Sequence, residues 1–328
     1  MKKTVLLSFL FLLFSTAVVV IFVCPVVAEE TIYIRPDGTV EGTDEIQRDG
    51  NIYTFTDNIF DSIVVERNNT IVDGAGYTLQ GPGSGSGITL SGRSNVTIKN
   101  TRIKAFTCGL DLDSSSGNNI SGNDIITWIG ISLDSSNGNI ITANNITKAR
   151  DGIVLYGPMA GGPTHNVISG NYIANNSRHG IMIHGSSNTV LGNYIANNGN
   201  GTHIFSPPWG VASSNNLIYN NSYVNNTRQI LIFKGFMVPV SINIWDNGVE
   251  GNYWSDYEER YPNATEIDGS GIWDTPYVID ENNQDNYPLV PEFPTLKLIL
   301  LTLVALTVAI AICKRRLLLA PRYAEELK

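Results

Sequence analysis

The motif Asn-x-x-x-x-Asn recurs six times along the middle of the chain, with successive starts 21 to 27 residues apart. A second motif, Gly followed by apolar-x-apolar, keeps the same phase, as in Gly109-Leu110-Asp111-Leu112. A period of this length is typical of a solenoid in which each repeat forms one turn, and it predicts two short strands with their turns per repeat. The Asn pairs are Asn95/Asn100, Asn118/Asn123, Asn139/Asn144, Asn166/Asn171, Asn188/Asn193 and Asn215/Asn220.

The spacing of apolar residues decides which solenoid this is. Apolar residues alternate with a spacing of two, whereas helical repeats need a spacing of three or four. The chain also lacks the fixed Leu-x-x-Leu-x-Leu frame of leucine-rich repeats. We therefore predict an all-β fold, a single-stranded right-handed parallel β-helix whose strands stack about 4.8 Å apart. The Asn columns are interpreted as structural, because Asn tolerates left-handed corners and stacked amides can hydrogen-bond in rows.

Two repeats are longer than the others because they contain loops. Residues 157–163 and 206–210 are rich in Gly and Pro, which cannot continue a strand ladder. We expect both loops to protrude from one edge of the solenoid, where ligands usually touch a stiff scaffold.

Both ends of the chain are apolar. Residues 1–28 have the basic start, apolar run and small-residue exit of a signal peptide, so export is predicted. Residues 298–313 form an apolar stretch followed by Lys314-Arg315-Arg316, which predicts a membrane anchor with residues 317–328 in the cytoplasm. The preceding Pro291-Glu292-Phe293-Pro294 resembles a PEF-type archaeal sorting signal, which would replace the anchor by a lipid. The repeats are expected at the cell surface in either case.

Charge and cysteine content restrict the partners. Residues 29–294 contain 13 Lys and Arg against 28 Asp and Glu, a net charge of −15, which argues against nucleic acid. Divalent cations and glycans are the expected partners. Only Cys108 falls in the predicted exterior portion, so no disulfide can form within it.

Several strings outside the repeats resemble one family. Tyr33-Ile34-Arg35-Pro36-Asp37-Gly38 and Val72-Asp73-Gly74-Ala75-Gly76 are similar to the first coils of archaeal NosD-like β-helix surface proteins. Gly251-Asn252-Tyr253-Trp254-Ser255-Asp256-Tyr257 is similar to the C-terminal block of the same proteins. The resemblance implies a β-helix from a wider group of carbohydrate-binding proteins and sugar hydrolases. For one subgroup the resemblance implies copper supply to nitrous oxide reductase. This is the second alternative function.

Copper is not the expected ligand, because the soft donors Cys108, Met159, Met182 and Met237 are dispersed. Calcium is the expected cofactor instead. Asp268, Ser270 and Asp274 place oxygen donors at positions one, three and seven of a Gly-rich loop, which resembles a calcium loop.

Aromatic residues are dense near the C-terminus. Residues 243–290 are expected to form a cap that seals the open end of the apolar solenoid, as solubility of a repeat protein requires. The alternative is a platform for sugar rings. The candidate substrate-binding residues are Trp254 and Trp273 in this block and Trp209 on the second loop.

Alignment of the strands also suggests candidate catalytic residues. One predicted outward column contains Asp113, Asp134, Tyr156 and His184, the residue types that uronate lyases and epimerases use for proton transfer. A second predicted outward column contains Cys108, Ile129, Asp151 and His179. The competing interpretation is a solvated face, because Asp-Ser-Ser follows both Leu112 and Leu133 and can bond its own turn.

These observations favour a membrane-anchored, extracellular β-helix that binds glycan or serves a structural role at the cell surface. A polysaccharide lyase or epimerase acting on uronate polymers is the alternative, and whether the chain is an enzyme is left open. The predicted segments are 1–28, the signal peptide; 29–86, the N-terminal cap and first coils; 87–242, the repeats; 243–290, the C-terminal cap; 291–316, the anchor; and 317–328, the tail.

Overall fold

The computed structural model describes residues 31–158, 161–208 and 210–291. Short strands in this part of the chain stack into three long sheets that wrap around one apolar core, which confirms the parallel β-helix. Pairing is parallel throughout the repeats and becomes antiparallel only at the two ends.

The first sheet has ten strands and contains the Gly-apolar-x-apolar motif. Its strands are β1 (Ile32–Ile34), β2 (Val40–Glu41), β5 (Ile63–Val65), β8 (Ser86–Ser91), β11 (Cys108–Asp113), β14 (Ile129–Asp134), β17 (Asp151–Tyr156), β20 (His179–Ile183), β23 (Asn200–Phe205) and β26 (Arg228–Phe233).

The second sheet has nine strands and the third has eight. The second contains β3 (Ile46–Asp49), β4 (Ile52–Phe55), β6 (Thr70–Asp73), β9 (Val96–Lys99), β12 (Asn119–Ser121), β15 (Ile140–Thr142), β18 (Val167–Ser169), β21 (Thr189–Leu191) and β24 (Leu217–Tyr219). The third contains β7 (Thr78–Gln80), β10 (Arg102–Lys104), β13 (Asp124–Ile126), β16 (Asn145–Thr147), β19 (Tyr172–Ala174), β22 (Tyr194–Ala196), β25 (Ser222–Val224) and β27 (Tyr253–Trp254).

Each complete turn therefore contains three strands, and the prediction of two strands per repeat was wrong. The third-sheet strands are three residues long or shorter, and several bury a single long apolar residue, such as Ile103 in β10 or Ile125 in β13. A strand with a single inward residue shows no alternation of apolar and polar residues. The sequence pattern therefore could not separate the third-sheet strands from the turns around them.

The first sheet has the register that the Gly motif predicts. Leu110, Ile131, Ile153 and Ile181 pair in one inward column and are fully buried. The glycine before each of them is required by space. At Gly152 an added Cβ would lie 2.5 Å from the carbonyl oxygen of Gly180 and 2.9 Å from Ile173.

Buried asparagines form two long ladders parallel to the axis and a shorter third one of Asn176, Asn198 and Asn226. In the long ladders, the Nδ2 group of each donates to Oδ1 of its equivalent one turn on, at 2.9 to 3.1 Å. Each Oδ1 also accepts from the backbone N–H of its predecessor, as between Asn144 and Asn171 at 2.9 Å. The first ladder is Asn118, Asn139, Asn166, Asn188, Asn216 and Asn243, and the second is Asn123, Asn144, Asn171, Asn193, Asn221 and Asn252.

The outermost Asn motifs do not belong to these ladders. Asn95, Asn100, Asn215 and Asn220 lie one residue earlier in the turn and have φ of 53° to 58°. Gly or another residue with positive φ occupies the same position in the middle repeats, as at Gly117. Each turn thus has a position with left-handed backbone and, one residue later, a position in the amide ladder. The Asn motif did not separate these two positions, because Asn suits both.

A C-terminal cap closes the solenoid. It consists of β27, one short helix α1 (Tyr257–Arg260) and the hairpin β28 (Tyr277–Asp280) with β29 (Asn283–Asp285). The hairpin supplies the terminal acceptor of each long ladder: Asn283 Oδ1 accepts from the N–H of Asn243, and Asp285 Oδ2 accepts from the N–H of Asn252. The fold of the cap therefore continues the hydrogen-bond pattern of the repeats.

The predicted signal peptide and anchor lie outside the described residues. Within those residues, no helix is both long and apolar enough to cross a membrane. Export and anchoring therefore stay predictions.

Candidate binding face of the first sheet

The structure assembles the predicted catalytic column. Asp113 pairs with Asp134 and Asp134 with Tyr156 on successive strands of the first sheet. His184 continues the column, since its N–H donates to the carbonyl of Leu155 and its ring lies 5.7 Å from that of Tyr156. Tyr156 is 50% exposed, whereas His184 is only 2% exposed.

The two aspartates have local partners in their own turns. Asp113 accepts a hydrogen bond from the hydroxyl of Ser114 at 2.9 Å, and Asp134 accepts one from Ser135 at 2.8 Å. Burial raises the pKa of the neighbouring Asp111, and the charges of both aspartates add smaller contributions. These bonds are those of the solvated turn described above.

His184 is buried, and Gly157 and Gly162 of the first loop approach it. A Cβ on Gly162 would overlap the backbone carbonyl of His184, so the backbone at Gly162 lies directly against the residue that follows β20. Burial lowers the pKa of His184, an effect that a backbone contact from Gly157 partly opposes. Neither ring nitrogen has a partner of good hydrogen-bond geometry.

A histidine pair lies nearby on the same face and was not predicted. The amide nitrogen of Asn200 lies 3.1 Å from Nδ1 of His179, and Nε2 of His179 lies 3.2 Å from Nδ1 of His203. Because an amide nitrogen can only donate, the proton of His179 is on Nε2 and that of His203 is on Nε2 as well. Nε2 of His203 is buried without a partner.

Both imidazoles of this pair are neutral at pH 7. Burial, together with the charges of Arg178 and Arg150, lowers the pKa of His179 to about 4. Burial, together with the neighbouring His179, lowers the pKa of His203 to about 4. His179 pairs with Asn200 and His203 with Met182 on the neighbouring strands, so the two histidines occupy different columns and the repeat pattern does not show their contact.

The column of Cys108, Ile129, Asp151 and His179 has the predicted register, but most of its side chains are covered. Asp151 is 1% exposed. Its carboxylate accepts a hydrogen bond from Nε of Arg178 at 2.8 Å and lies 4.0 Å from Nε of Arg150. The prediction that this column faces solvent was therefore wrong, and at Asp151 the two arginines of the preceding position provide the cover.

Those arginines belong to an exposed column that begins at a tryptophan. Trp128, Arg150 and Arg178 stack on successive turns through backbone bonds of 2.8 Å from Arg150 to Trp128 and from Arg178 to Arg150. Trp128 is 56% exposed, and the guanidinium carbon of Arg150 lies 5.5 Å from its ring centre. All three stand two residues before the repeat glycine, which is the sequence signal that identifies this column.

The predicted substrate-binding tryptophans have different positions. Trp254 is 1% exposed, stacks between Tyr223 at 4.7 Å and Tyr277 at 4.2 Å, and offers no free face to a sugar. Its position fits the core of the cap rather than a sugar platform. Trp273 is half-buried against Tyr257. Trp209 lies outside the described residues.

The predicted calcium loop forms a tight turn. Asp268 has a positive φ of 44°, and the N–H of Ile272 donates to the hydroxyl of Ser270. The carboxylate of Asp274 accepts hydrogen bonds from Thr265 and Thr275, and these bonds lower its pKa. Calcium binding here stays a prediction.

A family model described as periplasmic copper-binding protein (NosD) matches residues 37–259, more than half of the chain. The chain belongs to the NosD family. This agrees with the resemblance found in the sequence, while its archaeal and PEF-type details stay predictions. No curated protein sequence matches the chain.

The family description names copper binding, so the side chains that could bind copper were compared with that description. Among the described residues, no three or more His, Cys, Asp or Glu side chains converge to hold a metal. Burial raises the pKa of Cys108, which keeps it a thiol, and three strand pairings separate it from His179. His179 and His203 already bond to each other. Among the described residues these donors are thus apart or already bonded to each other, and the prediction against copper stays untested.

Several solved structures are similar to this NosD-family chain at low sequence identity. DFA-IIIase from Arthrobacter chlorophenolicus A6 in complex with GF2 has a TM-score of 0.42 and 14% identity over 59% of this chain and 48% of its own. The Dettilon tailspike protein has a TM-score of 0.42 and 14% identity, covering 53% and 43%. The A-module of the Azotobacter vinelandii mannuronan C-5 epimerase AlgE6 has a TM-score of 0.33 and 14% identity, covering 62% and 67%. The chain spans about half the length of the first, and none of these similarities carries a conclusion about activity.

Proposed function

We propose that this NosD-family protein is exported, held at the cell surface and binds glycan along one edge of its first sheet, at the turns that precede its strands. The exposed column that begins at Trp128 carries this proposal. An aromatic ring packs against the apolar face of a sugar, and neighbouring N–H donors bind its hydroxyl groups. Trp128 supplies the ring, and Arg150 and Arg178 supply donors one and two turns away.

Other features of the face support an extended ligand. Tyr156, at the end of β17, is a second half-exposed ring, and Asp134 adds an acceptor beside it, with Asp113 one strand further on. The β-helix repeats these groups along a stiff axis about every 4.8 Å, which suits a chain of sugars better than a single small molecule. Exported location is supported by the signal-like segment 1–28 and by the periplasmic description of the NosD family.

Retention of the full-length protein on a glycan panel tests the proposal. The variant Trp128→Ala should lose several-fold in affinity, since an aromatic contact contributes about 1 kcal/mol. Phe60→Ala is the matched control, because Phe60 is 67% exposed and follows Ile59, which pairs with the third sheet. Equal retention of both variants and the wild type would show that Trp128 does not bind the glycan.

One observation favours the lyase or epimerase alternative. His179 and His203 are neutral imidazoles close to two arginines, and a neutral imidazole can take a proton alpha to a carboxylate that a guanidinium neutralises. Both rings are less than 10% exposed, so a substrate would have to displace their cover. We keep binding as the main proposal for this reason.

A further inference from the structure

The tryptophan column continues as a strip of arginines along one edge of the first sheet. Arg150 and Arg178 are followed, two turns further on, by Arg228, which pairs with Asn200 in the column next to them. From Trp128 to Arg228 the strip crosses four strand spacings, about 19 Å. This strip is a local concentration of positive charge on an exterior whose net charge is −15.

The strip has little internal neutralisation. Among the described residues, Asp151 is the one carboxylate that forms ion pairs with Arg150 and Arg178, and its oxygens lie 4.0 and 2.8 Å from their Nε atoms. The side chains of Arg150 and Arg178 are 37% and 40% exposed. Arg228 is exposed and forms no salt bridge within the described residues.

The strip ends in a cavity between β26 and the cap. The cavity has a volume of about 350 Å³, and Arg228 and Arg260 both line it. Arg260 donates to the carbonyl of Val278 at 2.8 Å and lies 4.2 Å above the ring of Tyr277. The carboxylate in this cavity, Asp256, is already hydrogen-bonded by Gln229 and Tyr277. The cavity therefore offers guanidinium donors to an incoming anion.

We infer that the glycan is acidic and lies parallel to the solenoid axis, with carboxylates on Arg150, Arg178 and Arg228 and one end in the cavity at Arg260. This inference rests on the proposed glycan binding and adds to it a charge class and a direction. A guanidinium fork matches a carboxylate in shape and charge, and the register of the β-helix repeats the fork along a polymer. The sugar at the other end would stack on Trp128.

Binding of polygalacturonate fragments to the full-length protein in detergent, with EDTA present, tests the inference. Dextran fragments of equal length serve as the neutral probe, and a single-stranded oligonucleotide serves as an unrelated polyanion. Arg228→Gln and Arg150→Gln should each weaken polygalacturonate binding about tenfold, the loss of one charge-assisted pair. Arg102→Gln, an exposed arginine of the third sheet, should leave it unchanged. Fragments shorter than the strip should bind more weakly than fragments that reach Arg228.

The outcomes separate the inference from the proposed function. Equal binding of dextran and polygalacturonate, with no effect of Arg228→Gln, would overturn the inference and leave glycan binding intact. Failure of both polymers to bind would overturn both. Oligonucleotide binding with the same dependence on Arg228 would also overturn the inference, because the strip would then be a general polyanion surface. Arg228→Gln is the decisive variant, since Arg260 also packs on Tyr277 and Arg178 also holds the buried Asp151.

Discussion

The carboxylate of Asp285 accepts a hydrogen bond from the indole N–H of Trp254 at 2.9 Å, within the core of the cap. The same oxygen ends the second asparagine ladder at Asn252, and the other oxygen accepts the N–H of Tyr287 at 3.0 Å. One buried acid thus joins the repeats, the aromatic stack and the final segment of the cap.

Asp285 predicts how stability depends on pH. Burial raises the pKa of its carboxyl to about 6, although several N–H groups donate to it. The unfolded value is about 3.9, so the folded state binds the extra proton between the two values. Stability from this group is fully present below about pH 4 and is lost as the pH rises through 6. Urea unfolding should show that Asp285→Asn removes this decline. If the stability of the variant declined with pH as that of the wild type does, the decline would come from other groups.

The asparagine ladders predict large effects from single amide deletions. Asn171 donates to Asn193 and to the carbonyl of Ile141, and it accepts from the N–H of Asn144. Asn171→Ala leaves these buried groups unpaired and should cost about 3 kcal/mol in the free energy of unfolding. Asn145→Ala is the control, because Asn145 is exposed and bonds only Asp124 among side chains. If denaturant titrations gave equal losses of unfolding free energy for Asn171→Ala and Asn145→Ala, a ladder asparagine would contribute no more to stability than an exposed one.

The strand positions and their pairing could be predicted from the sequence where the pattern is dense. Gly152-Ile153-Val154-Leu155 shows alternation over a full strand, so the first sheet and its register followed directly. The third-sheet strands bury too few residues to show a period. The ladders were displaced by one residue in the outer repeats, because Asn fits both the ladder and the left-handed position before it.

The candidate site was predicted less completely, since it depends on contacts between different columns. The contact of His179 with His203 joins residues at different positions of neighbouring strands, which alignment keeps apart. Trp128 aligns with Arg150 and Arg178 at one repeat position, yet a tryptophan and two arginines share no obvious chemistry in a sequence. Their neighbourhood becomes visible only through the stacking of turns.

Calcium is expected to stabilise the cap through Asp268, Ser270 and Asp274. A ligand that binds only the folded state at a hundred times its dissociation constant adds about 2.7 kcal/mol. Calcium should raise the melting temperature of the wild type and leave that of the double variant Asp268→Ala, Asp274→Ala unmoved. The quantity to compare is the change in melting temperature on adding calcium, because Asp274 also bonds Thr265 and its loss lowers stability without metal. Equal shifts in both proteins would exclude this loop as the site.

The enzymatic alternative makes its own prediction on uronate polymers. If the face only binds, prolonged incubation should produce no unsaturated ends that absorb in the ultraviolet and no exchange of the C5 proton with solvent. Either signal, abolished by His203→Ala or by changes at Asp113, Asp134, Tyr156 or His184, would make the protein a lyase or epimerase.

Hydroxyl-radical footprinting of the full-length protein, with and without a retained glycan, tests the central claim most directly. The account predicts protection of Trp128, which is 56% exposed in the turn before β14, and of Tyr156, which is 50% exposed at the end of β17. Tyr172 and Tyr194, which stack on the third sheet with exposures of 44% and 40%, should react equally in both samples. Protection of the tyrosine pair, with Trp128 still fully reactive, would place the glycan on another face and contradict the account.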